Sequence, residues 1–274
     1  MGYGSYCSIA DVKGVLGITS TTDDTVIRKI VEAASRLIDN YCSGQGQRYF
    51  YVESATKYFD GTVPLRIDDL LTITTIKTDE DGDGTFENTL TVTTDYLLYP
   101  LNKYPKTKIE LSIGSNYGSF GASKKGCEIE GLWGYGDGIS ATPYILDTTI
   151  TSDLTAGTST IPVTAVTNLS AGNTILIGSE QYYIYSISTL TLTVEAGVNG
   201  TTEATHSSGA TIYIYQYPSD IRQACIDLSS AIYQNRNKRG IQSERLGDYS
   251  YTLSKEYVNT LLDDSIYSYR RLRV

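Results

Sequence analysis

Apolar residues recur along this chain at two different periods, and each change of period marks a change of element. In "SIADVKGVLG" Ser8 stands where a helix N-cap belongs and Gly17 where a helix ends. The next stretch, "TTDDTVIRKIVEAASRLIDNYC", places Val26, Ile27, Ile30, Val31, Ala34, Leu37, Ile38 and Tyr41 on one stripe at 3, 4, 7 spacing. Thr22 suits the N-cap, and Asp23 and Asp24 complement the positive end of the helix dipole. The pattern predicts a helix of roughly five turns over residues 25–42, stopped by "SGQGQ". From Tyr49 the period falls to two. "RYFYVESATKYFDG", "LLTITTIKTD", "NTLTVTTDYLLYP", "TKIELSI" and "GCEIEGLWGYG" alternate apolar with polar residues between Gly, Pro and Asp punctuation, which predicts antiparallel strands.

Between Tyr144 and Tyr217 the strands become shorter and richer in Thr and Ser, as in "NTILIG", "EQYYIYSI", "TLTLTVE" and "ATIYIYQY". Close spacing with Gly turns predicts a small barrel or sandwich. After Pro218 the helical period returns. Ser219 can cap "DIRQACIDLSSAIYQNRNKRG", Ile221, Cys225, Leu228 and Ile232 form its apolar stripe, and Gly240 suits its end. "SERLGDYSYTLS" reads as extended or looped, and "KEYVNTLLDDSIYSYRRLRV" as a last short helix with a basic tail. The predicted fold class is α+β. Residues 1–143 and 218–274 form a helical core with an antiparallel β-hairpin or sheet region. Residues 144–217 form an all-β domain inserted between Pro143 and Pro218.

Composition narrows what such a chain can do. A formal charge of −9 over 274 residues argues against gripping phosphates on a broad basic face. Residues 144–217 hold no Lys or Arg and five carboxylates: Asp147, Asp153, Glu180, Glu195 and Glu203. No apolar run approaches the ~20 residues of a membrane span, and the start carries no secretory signal pattern, so folding in a cytoplasm without a membrane partner is expected. Four scattered cysteines (Cys7, Cys42, Cys127, Cys225) and one histidine, His206, leave little material for a metal or nucleophile–base site. Buried free thiols and a turn-locking histidine are expected, with no cofactor and no enzyme activity. The 24 tyrosines combine apolar faces with hydroxyls and hint at interfaces.

One stretch invites a sharper reading. In "TDEDGDGTFENTL" Asp79, Asp81 and Asp83 fall at EF-hand ligand positions 1, 3 and 5, Gly84 at the sharp turn and Glu87 at position 9. The twelfth position, which needs a bidentate Glu, is Leu90. The flanks read as strands, and Asp-Gly pairs favour hairpin turns, so the plain turn is preferred to a calcium site. Two basic clusters, "NRNKRG" and "YRRLRV", read equally as solvated ends and as docking elements.

In order along the chain, "YCSIADVKGVLGI", "DDTVIRKIVEAASRLIDNYC", "YFDG", "IEGLWGYG", "PSDIRQACIDLSSAIYQNRNKRG", "ERLGDYSYTLS" and "LLDDSIYSYRR" resemble segments of the head–tail connector (adaptor) proteins of long-tailed bacteriophages. The insert, through "GNTILIGSEQYYIYSI" and "TLTLTVEAGVNGTTEATHSSGATIYI", resembles a small β module that recurs in phage structural proteins, with Ala196 where the common form has Arg. The resemblance implies a structural virion protein of the neck, assembled in the host cytoplasm as a ring, usually dodecameric. Such a ring sits between the portal protein and a stopper or tail completion protein. It extends the channel through which double-stranded DNA passes without sequence-specific binding during genome ejection. A C-terminal segment typically binds the portal. Here that segment sets Tyr257, Val258, Leu261, Leu262 and Ile266 at helical spacing, with Tyr267 and Tyr269 as aromatic anchors and Arg270, Arg271 and Arg273 as fixed charge. The segment is therefore expected to dock on a neighbour and to be flexible in the isolated subunit. The alternative is a secreted or surface β-rich binding module with a calcium-dependent loop.

Overall fold

The computed structural model describes residues 4–44, 47–236, 243–246, 249–252 and 262–271. Three helices form one layer: α1 (Ile9–Leu16), α2 (Asp24–Ser43) and α3 (Ser219–Gln234). Ser8 caps α1 through a capping box. Its hydroxyl accepts from the Asp11 amide at 3.1 Å, and the Asp11 carboxylate accepts from the Ser8 amide at 2.9 Å. Gly17 then leaves the helix at φ +66°, a left-handed conformation that glycine adopts without a Cβ penalty. At α2 the cap is Asp23 rather than Thr22. Its carboxylate makes no cap bond because the Tyr233 hydroxyl and Arg236 at the end of α3 take it. Val12, Ile27, Val31, Ile38, Ile221 and Leu228 fill the space between the three helices.

The first sheet comprises β1 (Glu53–Phe59), β2 (Leu65–Thr78), β3 (Asn88–Leu90), β4 (Tyr96–Tyr99), β5 (Lys106–Leu111) and β6 (Cys127–Trp133), all antiparallel. Its order is β1-β6-β2-β5-β4, with β3 alongside β2. Fourteen-residue β2 is the spine. One side pairs with β6, while the other takes β5 along its first half and β3 along its second. Register shifts between Leu70 and Thr72 and between Ile73 and Thr75 mark bulges that bend it. Leu65, Ile67, Ile76, Ile109, Ile129 and Trp133 pack on one face, and the Trp133 indole N–H donates to the Ala55 carbonyl at 2.8 Å.

The second sheet comprises β7 (Tyr144–Thr149), β8 (Thr160–Pro162), β9 (Thr174–Ile177), β10 (Glu180–Ser188), β11 (Thr191–Glu195) and β12 (Thr211–Tyr215), in the order β7-β12-β9-β10-β11-β8. Its ends meet. Ile150 bridges Val163, the Thr151 amide donates to Pro162 O at 3.0 Å, and the Thr164 amide donates to Thr149 O at 3.0 Å. The sheet thus curls into a small barrel around Ile161, Ile175, Ile177, Ile184, Leu192 and Ile212, and closure removes its open edges.

The barrel sits on the first sheet. Leu176 and Tyr215 on its outer face pack against Val52 and Leu71. The Gln181 side chain donates to Val52 O at 3.1 Å and accepts from the Asn199 amide nitrogen at 3.0 Å. At Gly200 (φ +75°) a Cβ would stand 2.1 Å from Ser54 O, so this seat admits only glycine. A further hairpin pairs β13 (Ser243–Leu246) with β14 (Tyr249–Thr252).

This architecture corrects the expected fold class. The described chain is mostly β, with two six-stranded antiparallel sheets, and a helical connector core is not what it contains. The strands after Tyr49 build a complete sheet with its own buried face, while the helices form a layer beside it. Helical periodicity reports that a helix has a buried side; it does not report what share of the core the helices supply. Two residues of the predicted stripe illustrate this, since Val26 and Leu37 are 43% and 44% exposed.

Candidate functional site

The acidic stretch joins β2 to β3, and Thr78 pairs with Asn88 at its base, so strands flank it on both sides. Asp79 is buried. Its Oδ1 accepts from the Gly82 amide at 2.6 Å and its Oδ2 from the Gly84 amide at 2.8 Å. Asp81 accepts from the Asp83 amide at 3.1 Å, and Asp83 from the Thr85 amide at 2.7 Å. These bonds wind the tip. They also bring one carboxylate oxygen each of Asp79, Asp81, Asp83 and Glu87 within 4.8 Å of one another. A hard divalent cation takes six to eight oxygens, so four carboxylates form a plausible part of such a shell. Leu90, at the missing twelfth position, is buried in the sheet core opposite Ile76. The position that an EF-hand gives to its strongest ligand is spent here on packing.

The described residues of the expected docking segment lie elsewhere and contact the rest of the chain. Leu262 and Ile266 are buried in the helical core. Tyr269 packs edge-on against Phe50 and Tyr135, with centroids 5.7 and 5.5 Å away, and its carbonyl accepts from Arg48 at 2.7 Å. The Arg271 amide donates to Cys42 O at 2.8 Å, and its guanidinium reaches Gln47 O at 3.0 Å and Asp68 at 3.2 Å. Arg270 lies over the rings of Tyr41 and Tyr267. Among the described residues of this set Tyr267 is the most exposed, at 54%. Tyr257, Val258, Leu261 and Arg273 lie outside the described residues, as do Lys238 and Arg239 of the other basic cluster. Arg236 of that cluster is held over the Tyr233 ring and against Asp23.

His206 belongs to a cluster that the sequence did not reveal. Its Nε2 lies 2.8 Å from Oε2 of Glu180, which is fully buried inside the barrel. The same carboxylate accepts from the Tyr182 hydroxyl at 2.6 Å and from the amides of Gly197 and Ala204 at 3.1 and 3.0 Å. Backbone bonds between His206 and Leu154 fix the turn on the other side. Every oxygen of Glu180 is engaged, so the cluster plugs one end of the barrel as a satisfied polar network. The signal available in sequence was a Glu entering a strand of apolar inward positions.

A groove of about 570 Å³ runs between α1 and the barrel, lined by Ile9, Ile18, Val166, Leu169 and Ile187, with the Lys13–Asp24 ion pair (2.7 Å) at its wall. Among the described residues no helix is long and apolar enough to cross a membrane. No protein-family model matches the chain, and no curated protein matches it.

Proposed function

We propose that this chain is a structural, non-enzymatic subunit that assembles with copies of itself into a ring, in the manner of a phage head–tail connector. The observation that carries the reading is the set of large apolar side chains left in solvent on a body whose cores are already filled. On α2, Val26 and Leu37 are eleven residues apart and so share a face after about three turns. Val15 on α1 is 61% exposed, and Ile145 and Leu146 on β7 are 54% and 67% exposed. Burial of such groups against another chain is the contact this reading calls for. Exposed apolar residues on different elements suit a heterologous contact, in which each copy meets the next with a different surface and rotation closes a ring. The acidic barrel suits a wall that DNA passes rather than one that holds it. In this reading the portal protein and a stopper or tail completion protein are the partners above and below, in the virion neck. Light scattering after size exclusion, with negative-stain imaging, tests it. A closed ring whose assembly is lost in Leu37→Glu supports the reading, and a monomer at every concentration and on portal-bearing particles rejects it.

One observation favours a second reading, a β-rich binding module with a calcium-dependent loop: the four carboxylates that converge at the β2–β3 tip. A site with a dissociation constant near ten micromolar adds roughly 2.7 kcal/mol of stability at a hundredfold excess of calcium. Under the structural reading millimolar calcium leaves the melting temperature unchanged. A rise that Asp81→Ala abolishes would transfer preference to the module.

A further inference from the structure

Cys7 and Cys225 lie 218 positions apart in sequence, yet their sulfurs stand 3.3 Å from one another. Cys7 sits in the segment that leads into α1, and Cys225 on the inner face of α3; they are 4% and 0% exposed, and both are free thiols. The pairing is held from several directions. The Tyr6 amide donates to Ser35 Oγ at 3.0 Å, Arg36 donates to Gly4 O at 2.8 Å, and Ser35 Oγ lies 3.5 Å from the Cys225 sulfur. The other two cysteines differ. Burial pushes the Cys42 and Cys127 thiols up to about 12.

We propose that Cys7 and Cys225 form a two-electron oxidation site, which a peroxide converts to a disulfide that staples the N-terminal segment to α3. Closing the gap of 3.3 Å to a bond of about 2.05 Å needs a movement of little more than about 1 Å. Cys7 donates its hydrogen bond to the Cys225 sulfur, so Cys225 is the sulfur placed to take the first step. Burial opposes its ionisation, but the hydrogen bond donated by Cys7, with the Ser35 hydroxyl alongside, draws its thiol below the usual range. Cys7, which donates to Cys225 and is also buried, is pushed well up and keeps its proton. The Cys225 thiolate attacks one peroxide oxygen, breaks the O–O bond and becomes a sulfenic acid, while the departing hydroxide takes a proton to leave as water. The Cys7 sulfur then attacks the sulfenic sulfur, the S–S bond forms, and the hydroxyl leaves as water with the Cys7 proton. Two thiols are oxidised and one peroxide is reduced to two waters. The inference is independent of the assembly proposed above.

The test uses the full chain, fully reduced and then titrated with hydrogen peroxide. Non-reducing proteolysis and mass spectrometry should find the Cys7 and Cys225 peptides joined, about 2 Da below the sum of the two thiols. The melting temperature should rise by about 5 °C or more and return with dithiothreitol, because the cross-link closes a very long loop. A Cys42→Ala, Cys127→Ala double variant should keep both effects, and Cys7→Ala should lose both. The joined peptides are read in the unaltered chain, so a poorly folding variant leaves the test intact. Oxidation of Cys225 to sulfinic acid with Cys7 still alkylatable after unfolding overturns the proposal. So does a disulfide that joins two chains, or four free thiols after prolonged oxidation.

Discussion

Both sheets of this chain hold six antiparallel strands, yet the second closes on itself at Ile150 and Val163 while the first ends openly at β1 and β4. Closure gives the barrel an interior of its own, and one carboxylate, Glu180, satisfies the polar groups trapped at its end. The first sheet is completed by segments far away in sequence. Arg48 holds buried Asp69 through two bonds of 2.7 and 3.1 Å and also grips Tyr269 O, while Arg271 reaches Asp68 and Gln47 O. The closed sheet holds its interior with its own residues, while the open one is completed by charged groups from distant segments. Residues 144–217 contain no Lys or Arg, whereas the first sheet holds its carboxylates with both.

The comparison breaks most visibly under excision. Tyr144 and Tyr215 are cross-strand partners, so the barrel's ends lie side by side. Residues 144–215 made as a separate chain should melt cooperatively with a β circular dichroism spectrum. The remainder, rejoined by a Gly/Ser linker, should keep its helical signal, provided Tyr217 stays, since its ring packs 4.9 Å from that of Tyr6. Residues 49–143 alone should show no cooperative transition. A cooperative melt from that piece would mean the open sheet is self-sufficient.

Glu180→Ala sharpens the contrast next. It strands the Tyr182 hydroxyl, His206 and two amides inside the barrel, and should cost about 4 kcal/mol in denaturant titration. Tyrosine fluorescence and far-ultraviolet dichroism should then diverge, with the barrel unfolding first. Arg48→Met should cost somewhat less, about 3 kcal/mol, by leaving the Asp69 carboxylate buried without its partner. Its signature is faster proteolysis between residues 262 and 271, because the anchor of Tyr269 goes with it. Unchanged proteolysis there would show that the open sheet does not rely on this strap.

The smallest effect is a pH slope confined to the helical layer. Burial pushes the Asp39 carboxyl up to about 6 from 3.8, against the opposing pull of Arg36 and the Tyr6 hydroxyl. The folded state therefore holds this proton more tightly than the unfolded chain does. Stability should fall as pH rises from about 4 to about 6, by about 2 kcal/mol, and the contribution is fully present below the unfolded value. Asp11, held low by Arg222 and Ser8 despite partial burial, acts in the opposite sense, so the comparison is with Asp39→Asn. The substitution should remove the slope from the helical transition and leave the excised barrel's pH profile untouched.

Much of the local structure was legible in residues a few positions apart. Ser8, Asp11 and Gly17 set the ends of α1, period-two runs marked the strands, and Leu90 argued against an EF-hand because a leucine cannot ligate. Such signals work because caps, turns and faces depend on neighbours at i+2 to i+4. Which surface each face meets depends on contacts a hundred or more residues away, and there the periodic signal is silent. Val26 and Leu37 share a helical stripe with core residues yet face solvent, while Leu262 and Ile266, spaced as if for a partner, fill the chain's own core. The meeting of β7 with β8, the burial of Glu180 beside His206, and the contact of Cys7 with Cys225 follow from the path of the whole backbone. Tertiary packing decided them, because only the folded chain brings those atoms within bonding distance and removes the water between them.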